Sequence, residues 1–142
     1  MEVKFDQYMI SDDLNLLNYD IIYSFLSRSY WAKNRPKETV KKSMDNSVCI
    51  GVYHMNIQIG LARIVTDDVT VYWLCDVYID ENYRGKGIGK KLIESITISE
   101  RFKNLMGVLG TKDAQGLYEE YQFESKPENL MLRQPDFIRE SL

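Results

Sequence analysis

The stretch Asn82-Tyr83-Arg84-Gly85-Lys86-Gly87-Ile88-Gly89-Lys90-Lys91-Leu92 restricts the fold more than any other segment of the chain. An apolar, β-branched run from Val69 to Ile79 comes before it. Ile88, Leu92, Ile93 and Ile96 then recur at helical spacing, predicting a helix over about 87–99. The chain therefore passes from strand to helix through a turn rich in glycine. At such a helix start several backbone N–H groups point outward without intrahelical partners, and the helix dipole adds partial positive charge. Glycines permit unusual dihedrals and let a ligand come close to the backbone. Arg84 can add a charge-assisted clamp. Together these features predict an anion site, most simply one for phosphate. The plainer reading is a tight turn with solvated lysines. The register of strand, arginine, three glycines and amphipathic helix favours the anion site.

Two familiar phosphate loops fail on spacing. A Walker loop needs GxxxxGK followed by Ser or Thr. Here Gly85 and Gly89 are separated by only three residues, and Lys90 is followed by Lys91, which has no hydroxyl. A dinucleotide fingerprint needs GxGxxG, whereas this turn reads GxGxG.

The net charge of −3 argues against broad binding of nucleic acid or an anionic membrane, so the cations of the turn form a local feature. At 142 residues the chain has the size of one domain, and a single domain over 1–142 is expected. No apolar run is long enough to span a bilayer, and the N-terminus lacks the charged and apolar regions of a secretory signal. Cys49 and Cys75 lie in apolar, β-branched runs and read as buried thiols. With one histidine, His54, and no CxxC, no zinc site can be written and no metal is expected. This cysteine usage suits a reducing, cytoplasmic setting.

The remaining elements follow from period and turn residues. Residues 2–10 alternate as a strand. Ser11 and two acids open a helix over 12–28 carrying Leu14, Leu17, Ile21 and Phe25 on one face. Ser29 to Arg35 is an aromatic loop, and Pro36 starts a short helix over 36–45. Strands are predicted over 48–54, 57–65 and 69–79, with turns at Met55-Asn56 and at Thr66-Asp67-Asp68. A short strand over 105–110, a helix over 113–121, and one or two closing strands from Phe123 through Leu130-Met131-Leu132 complete the chain. This is a layered α/β (α+β) domain.

Tyr83-Arg84-Gly85-Lys86-Gly87-Ile88-Gly89 resembles the (Arg/Gln)-x-x-Gly-x-(Gly/Ala) signature of the GNAT superfamily of acetyl-CoA-dependent N-acetyltransferases. Asp76 to Glu81 resembles the strand that leads into it, and Asp113 to Phe123 resembles the family's later A-x-x-L-Y-x-x-x-G-F helix, with Gln122 in place of the glycine. The Ser29 to Pro36 segment is similar to that of a bacterial subgroup of small GNATs. The resemblance implies a central mixed, mostly antiparallel, twisted sheet flanked by about four helices and splayed after its fourth strand. It implies acetyl-CoA as co-substrate. The pyrophosphate would sit on the backbone of Arg84, Gly85, Lys86, Gly87, Ile88, Gly89 and Lys90, and the pantetheine arm beside Val77, Tyr78 and Ile79.

It further implies Tyr118 as the acid that protonates the departing thiolate; from periodicity alone that tyrosine is a half-buried core aromatic. Asp76 reads three ways on its apolar strand: as a base whose pKa burial has raised, as a carboxylate that binds a cationic substrate, or as a structural carboxylate. Tyr30, Trp31 and Arg35 are the candidate acceptor-binding residues, with loop anchoring as the alternative for the aromatics. Arg63 reads as a solvent-side strand residue. The expected reaction is direct acetyl transfer to a primary amine, on a small molecule or a peptide, in a ternary complex. The rival is a non-catalytic acyl-CoA-binding sensor or scaffold. A homodimer is compatible with the fold.

Overall fold

The structure, a computed structural model, describes residues 1–136. At its start the strand expected over 2–10 is a hairpin: β1 (Glu2–Phe5) and β2 (Tyr8–Ser11) pair antiparallel around Asp6, whose φ is 50°. Aspartate tolerates this left-handed conformation better than most residues. Ser11 then caps a turn rather than a long helix. Its Oγ accepts from the Asp13 N–H, and Leu14–Leu16 forms a single 3-10 turn. The helix expected over 12–28 begins only at α1 (Tyr19–Ser27), because Asn18 is the effective cap. Its side chain accepts from the Ile21 N–H at 3.1 Å, while its own N–H donates to the buried Gln58 at 2.8 Å. α2 (Lys37–Asp45) starts directly after Pro36.

β3 (Val48–His54) and β4 (Ile57–Thr66) form the central hairpin. Met55 and Asn56 both have positive φ, 51° and 69°, as a two-residue loop that matches strand twist requires. The strand expected over 69–79 is broken in two, β5 (Val71–Leu74) and β6 (Tyr78–Ile79). Both pair with β4, but Cys75, Asp76 and Val77 between them belong to neither strand. α3 (Ile88–Thr97), β7 (Met106–Val108) and α4 (Gln115–Glu119) follow. Among the described residues no strand comes after β7, so the closing strands expected from Phe123 onward are not formed there. Pro127, which lacks an N–H, opens a 3-10 turn, and Leu130, Met131 and Leu132 stay exposed. Residues 137–142 lie outside the described residues.

The sheet runs β1-β2-β3-β4-β5-β7, with β6 also beside β4. Every pair is antiparallel except β5 with β7. Apolar clusters cover both faces. Ile88, Leu92, Ile93 and Ile96 of α3 pack with Ile50, Val52 and Ile64 on one face. Ile22 and Leu26 of α1 and Val40 and Met44 of α2 pack with Cys49 and Leu61 on the other. Each of these large side chains contributes roughly 1.5–3 kcal/mol by leaving water.

The sheet opens where β5 gives way to β6. β7 follows β5 only as far as the Trp73–Val108 pair. Beyond that point β6 stays with β4, through Leu61–Tyr78 and Gly60–Ile79, and has no ladder partner on its other side among the described residues. This is the splay expected after the family's fourth strand, and it leaves the outer edge of β6 without a strand partner, the Ile79 carbonyl there accepting from the Arg84 side chain instead.

Candidate active site

The open edge of β6 leads straight into the glycine turn. Asp80 caps the short 3-10 turn Glu81–Tyr83 by accepting from the Asn82 N–H. Gly85 and Gly87 then take φ values of 78° and 80°. A Cβ built on either would meet no heavy atom within 4 Å, so the backbone faces open space. Gly87 is the N-cap of α3 and supplies no side-chain cap, leaving the first N–H groups of a ten-residue helix without side-chain partners. Gly89 differs: its φ is ordinary, and a Cβ there would touch only the Ile79 side chain at 3.8 Å. Gly87→Ala should therefore cost about 1–2 kcal/mol of stability through its left-handed backbone. Gly89→Ala should be neutral or stabilising by up to about 1 kcal/mol. Urea unfolding of the pair checks the opposite signs.

The cations of the turn are used unequally. Arg84 bends back, donating Nε–H to the Ile79 carbonyl at 2.8 Å with its guanidinium 4.8 Å from the Tyr78 ring centroid. It braces the turn against the end of β6. Lys90 pairs with Glu120 at 3.3 Å and Lys91 with Glu94 at 3.6 Å. Lys86 has no carboxylate partner among the described residues and lies 5.7 Å from the Tyr83 ring centroid. The Tyr78 side chain is structural: it stacks on Phe25 with centroids 5.2 Å apart and donates to Glu81. Arg28 grips the same Glu81 at 3.0 and 3.1 Å. These bonds from Arg28 and Tyr78 hold the Glu81 carboxyl at about 2.

Asp76 sits at the break between β5 and β6, its side chain only 2% exposed. Oδ1 accepts from the Trp31 indole N–H at 2.7 Å. Oδ2 accepts from Arg63 Nε–H at 2.7 Å and Arg35 Nη1–H at 2.9 Å. Burial alone would raise this carboxyl, but the Arg35 and Arg63 charges and the bonds from Arg63 and Trp31 outweigh it, and the pKa is lowered. The reading of Asp76 as a base needs a raised pKa, so the lowered one favours the structural carboxylate. Arg63, expected on the solvent side, is half-buried and also donates to Ser47 Oγ at 3.1 Å.

The aromatic loop crosses the splay. The Tyr30 hydroxyl accepts from the Lys112 N–H at 3.1 Å, and its ring meets Trp31 edge-on at 5.0 Å. Tyr30, Trp31, Arg35 and Asp76 therefore form one group, reaching the segment that follows β7. Tyr118 on α4 belongs to the same region: its ring is buried against Phe123 at 5.9 Å. Burial, with Tyr30 and Asp113 adding, pushes its hydroxyl up to about 12. That hydroxyl makes no hydrogen bond among the described residues, yet it is not sealed, since Tyr53 holds the sole fully buried side-chain polar atom left unpartnered. Thr111 Oγ1 accepts from the Ala114 N–H and caps the approach to α4. Gln122, at φ 71°, adopts the left-handed conformation of the glycine it replaces, so the turn into Phe123 is kept.

Neither thiol is activated: burial pushes Cys49 up to about 11 and also raises Cys75. No group of side chains among the described residues is arranged to hold a metal ion, and none of their helices is long and apolar enough to cross a membrane. A cavity of about 820 Å³ lies beside β7 and α4 and is bordered by Tyr118 and Thr111, but the glycine turn, Asp76 and Trp31 do not line it.

Residues 45–125 match the acetyltransferase (GNAT) domain family, a span that includes the glycine turn, Asp76 and Tyr118. The chain belongs to this family. A crystal structure of a protein from Xanthomonas campestris pv. campestris, assigned to the GNAT family, superposes with a TM-score of 0.86 at 32% identity, covering 93% of this chain and 96% of that one. An uncharacterized N-acetyltransferase of Prochlorococcus marinus is 31% identical, over 73% of this chain and 61% of its own length. A GNAT acetyltransferase of Elizabethkingia anophelis with acetyl-CoA bound shares the fold, with a TM-score of 0.62 at 19% identity, covering 83% of this chain and 74% of that one. The chain spans about three-fifths of the length of two curated relatives and about 30% of the length of three others.

Proposed function

We propose that this protein transfers an acetyl group from acetyl-CoA to a primary amine by direct attack while both are bound. The observation that carries this reading is the outer edge of β6, with no strand partner among the described residues, running into an open glycine turn at the start of α3. Acetyl-CoA supplies the activated thioester. The chain's own groups supply the rest. Main-chain groups of Val77, Tyr78 and Ile79 pair with the amides of the pantetheine arm as an added strand would. An N–H of the same segment faces the oxyanion that develops on attack. The amides of Arg84, Gly85, Lys86, Gly87, Ile88, Gly89 and Lys90 cradle the pyrophosphate, aided by the α3 dipole.

Tyr118, protonated at any physiological pH, donates its proton to the departing thiolate. Asp76 takes no part in proton transfer: its carboxylate is held ionised between two guanidinium groups, and the amine proton leaves to water. Tyr30, Trp31 and Arg35 border the acceptor end.

Thermal unfolding with saturating ligands tests the reading. Acetyl-CoA or CoA at ~100 times its dissociation constant should add roughly 2.7 kcal/mol of stability, whereas ATP and NAD should add none. Thiol release with a panel of amines follows. A shift by CoA without turnover of any amine would favour the sensor or scaffold. A shift by ATP alone would overturn the assignment of the turn.

A further inference from the structure

The Asp76 cluster holds more positive charge than it neutralises. Arg35 and Arg63 bring two positive charges to one buried carboxylate, which leaves a net charge of +1 (two arginines less one aspartate). Asp76 engages Arg35 through Nη1 alone. A guanidinium carries five N–H donors in a rigid plane. The other Arg35 donors are neither bonded nor sealed, because the Tyr53 hydroxyl is the sole sealed and unpartnered side-chain polar atom among the described residues. With its side chain 24% exposed, Arg35 presents a free edge to solvent. Beside it Trp31 is 41% exposed. Its indole nitrogen is fixed on the same carboxylate, so the ring is held in place and remains accessible.

The surroundings do not cancel this charge. Arg28 and Glu81 neutralise each other as an ion pair. On the far rim Lys112 lies over the Tyr30 ring, and Asp113 acts on Tyr118 rather than on the cluster. A polyamine would therefore meet like charge at the acceptor end.

We infer that the acceptor carries a carboxylate close to its amine, the chemistry of an amino acid, with that carboxylate on the free edge of Arg35 and the acceptor's body against Trp31. This rests on the acetyltransferase reading above. Guanidinium and carboxylate match in planar, paired geometry, which a lysine cannot reproduce. Asp76 is then a positioning residue: it sets Arg35 and Trp31 and does not touch the acceptor. Arg63 holds Asp76 in turn.

The test uses reaction products, so it needs no turnover. With CoA present, binding of N-acetylphenylalanine and of its neutral amide is followed by Trp31 emission. A Trp73→Phe background leaves Trp31 as the sole tryptophan of the two in the chain. N-acetylglycine and its amide form a second pair without an aromatic ring. In at least one pair the acid should bind about tenfold or more tighter than the amide. Arg35→Gln should bring acid and amide within about twofold of each other, and Arg35→Lys should restore only part of the difference. A CoA-induced melting shift retained in Arg35→Gln shows that the variant is folded. Equal binding of acid and amide, no binding of either, or a preference that survives Arg35→Gln overturns the inference alone when CoA still binds. Loss of CoA binding in the parent chain overturns the acetyltransferase reading, and the inference with it.

Discussion

Asp76→Asn is expected to lower the stability of the chain by about 3–5 kcal/mol in urea unfolding. The asparagine keeps the shape but removes the charge, leaving Arg35 and Arg63 side by side with a neutral partner. Its amide nitrogen would also turn a donor toward either the Trp31 indole or the two guanidinium groups, all of them donors. Removing Arg35 as well should relieve part of the cost, since like charges no longer face each other. The pH dependence follows from the lowered native pKa. A depressed carboxyl contributes stability that is fully present above its unfolded value, about 3.9, and is lost as the pH falls through the native value. The parent chain should therefore lose this contribution only below about pH 4, and Asp76→Asn should lack that slope. An Asp76-dependent loss between pH 7 and 5 would mean that the carboxyl titrates high, and would return it to consideration as a base.

The readings left open at Asp76 show where the sequence stops being legible. The residue itself stands out on an apolar run, and so do Trp31 and Arg35 in their loop. Their meeting does not, because the donors come from 13, 41 and 45 positions away. Whether burial or charge governs the carboxyl depends on those partners. The break at Cys75–Val77 is hidden for a related reason: Val69 to Ile79 is rich in β-branched and aromatic residues and reads as one strand. It breaks because Arg63 is shared, its carbonyl accepting from the Cys75 N–H and its N–H donating to the Asp76 carbonyl. Two residues thus oppose one, as in a β-bulge. Arg63 itself follows Leu61 by two residues with no register shift between them, so it shares the face that α1 and α2 cover. Local features were legible: the Met55-Asn56 hairpin, the periodic face of α3 and the glycine turn need only neighbours in sequence. At the first helix two caps compete, Ser11 and Asn18, and the tie of Asn18 to Gln58 decides it from 40 residues away. Leu130-Met131-Leu132 has strand composition, but the segment before it, with Pro127, gives it no ladder to join among the described residues.

Tyr118→Phe should lower kcat by about 10²–10⁴ while leaving acetyl-CoA binding unchanged. Stability should hardly move. The ring keeps its edge-on contact with Phe123, and the hydroxyl has no hydrogen bond among the described residues to lose, so the change is expected to stay below about 1 kcal/mol. This separates chemistry from packing, which the sequence alone left open for a helix tyrosine next to Leu117. A hydroxyl pushed up to about 12 keeps its proton across the whole working range. The rate should therefore rise with pH as the amine deprotonates, and no loss near pH 10 should be traceable to Tyr118. If the tyrosine donates only as the thiolate departs, kcat and kcat/KM should fall together. A fall in kcat/KM through KM alone would make Tyr118 part of the binding wall beside the cavity. Unchanged turnover would reduce it to a core aromatic and leave the thiolate to be protonated by water.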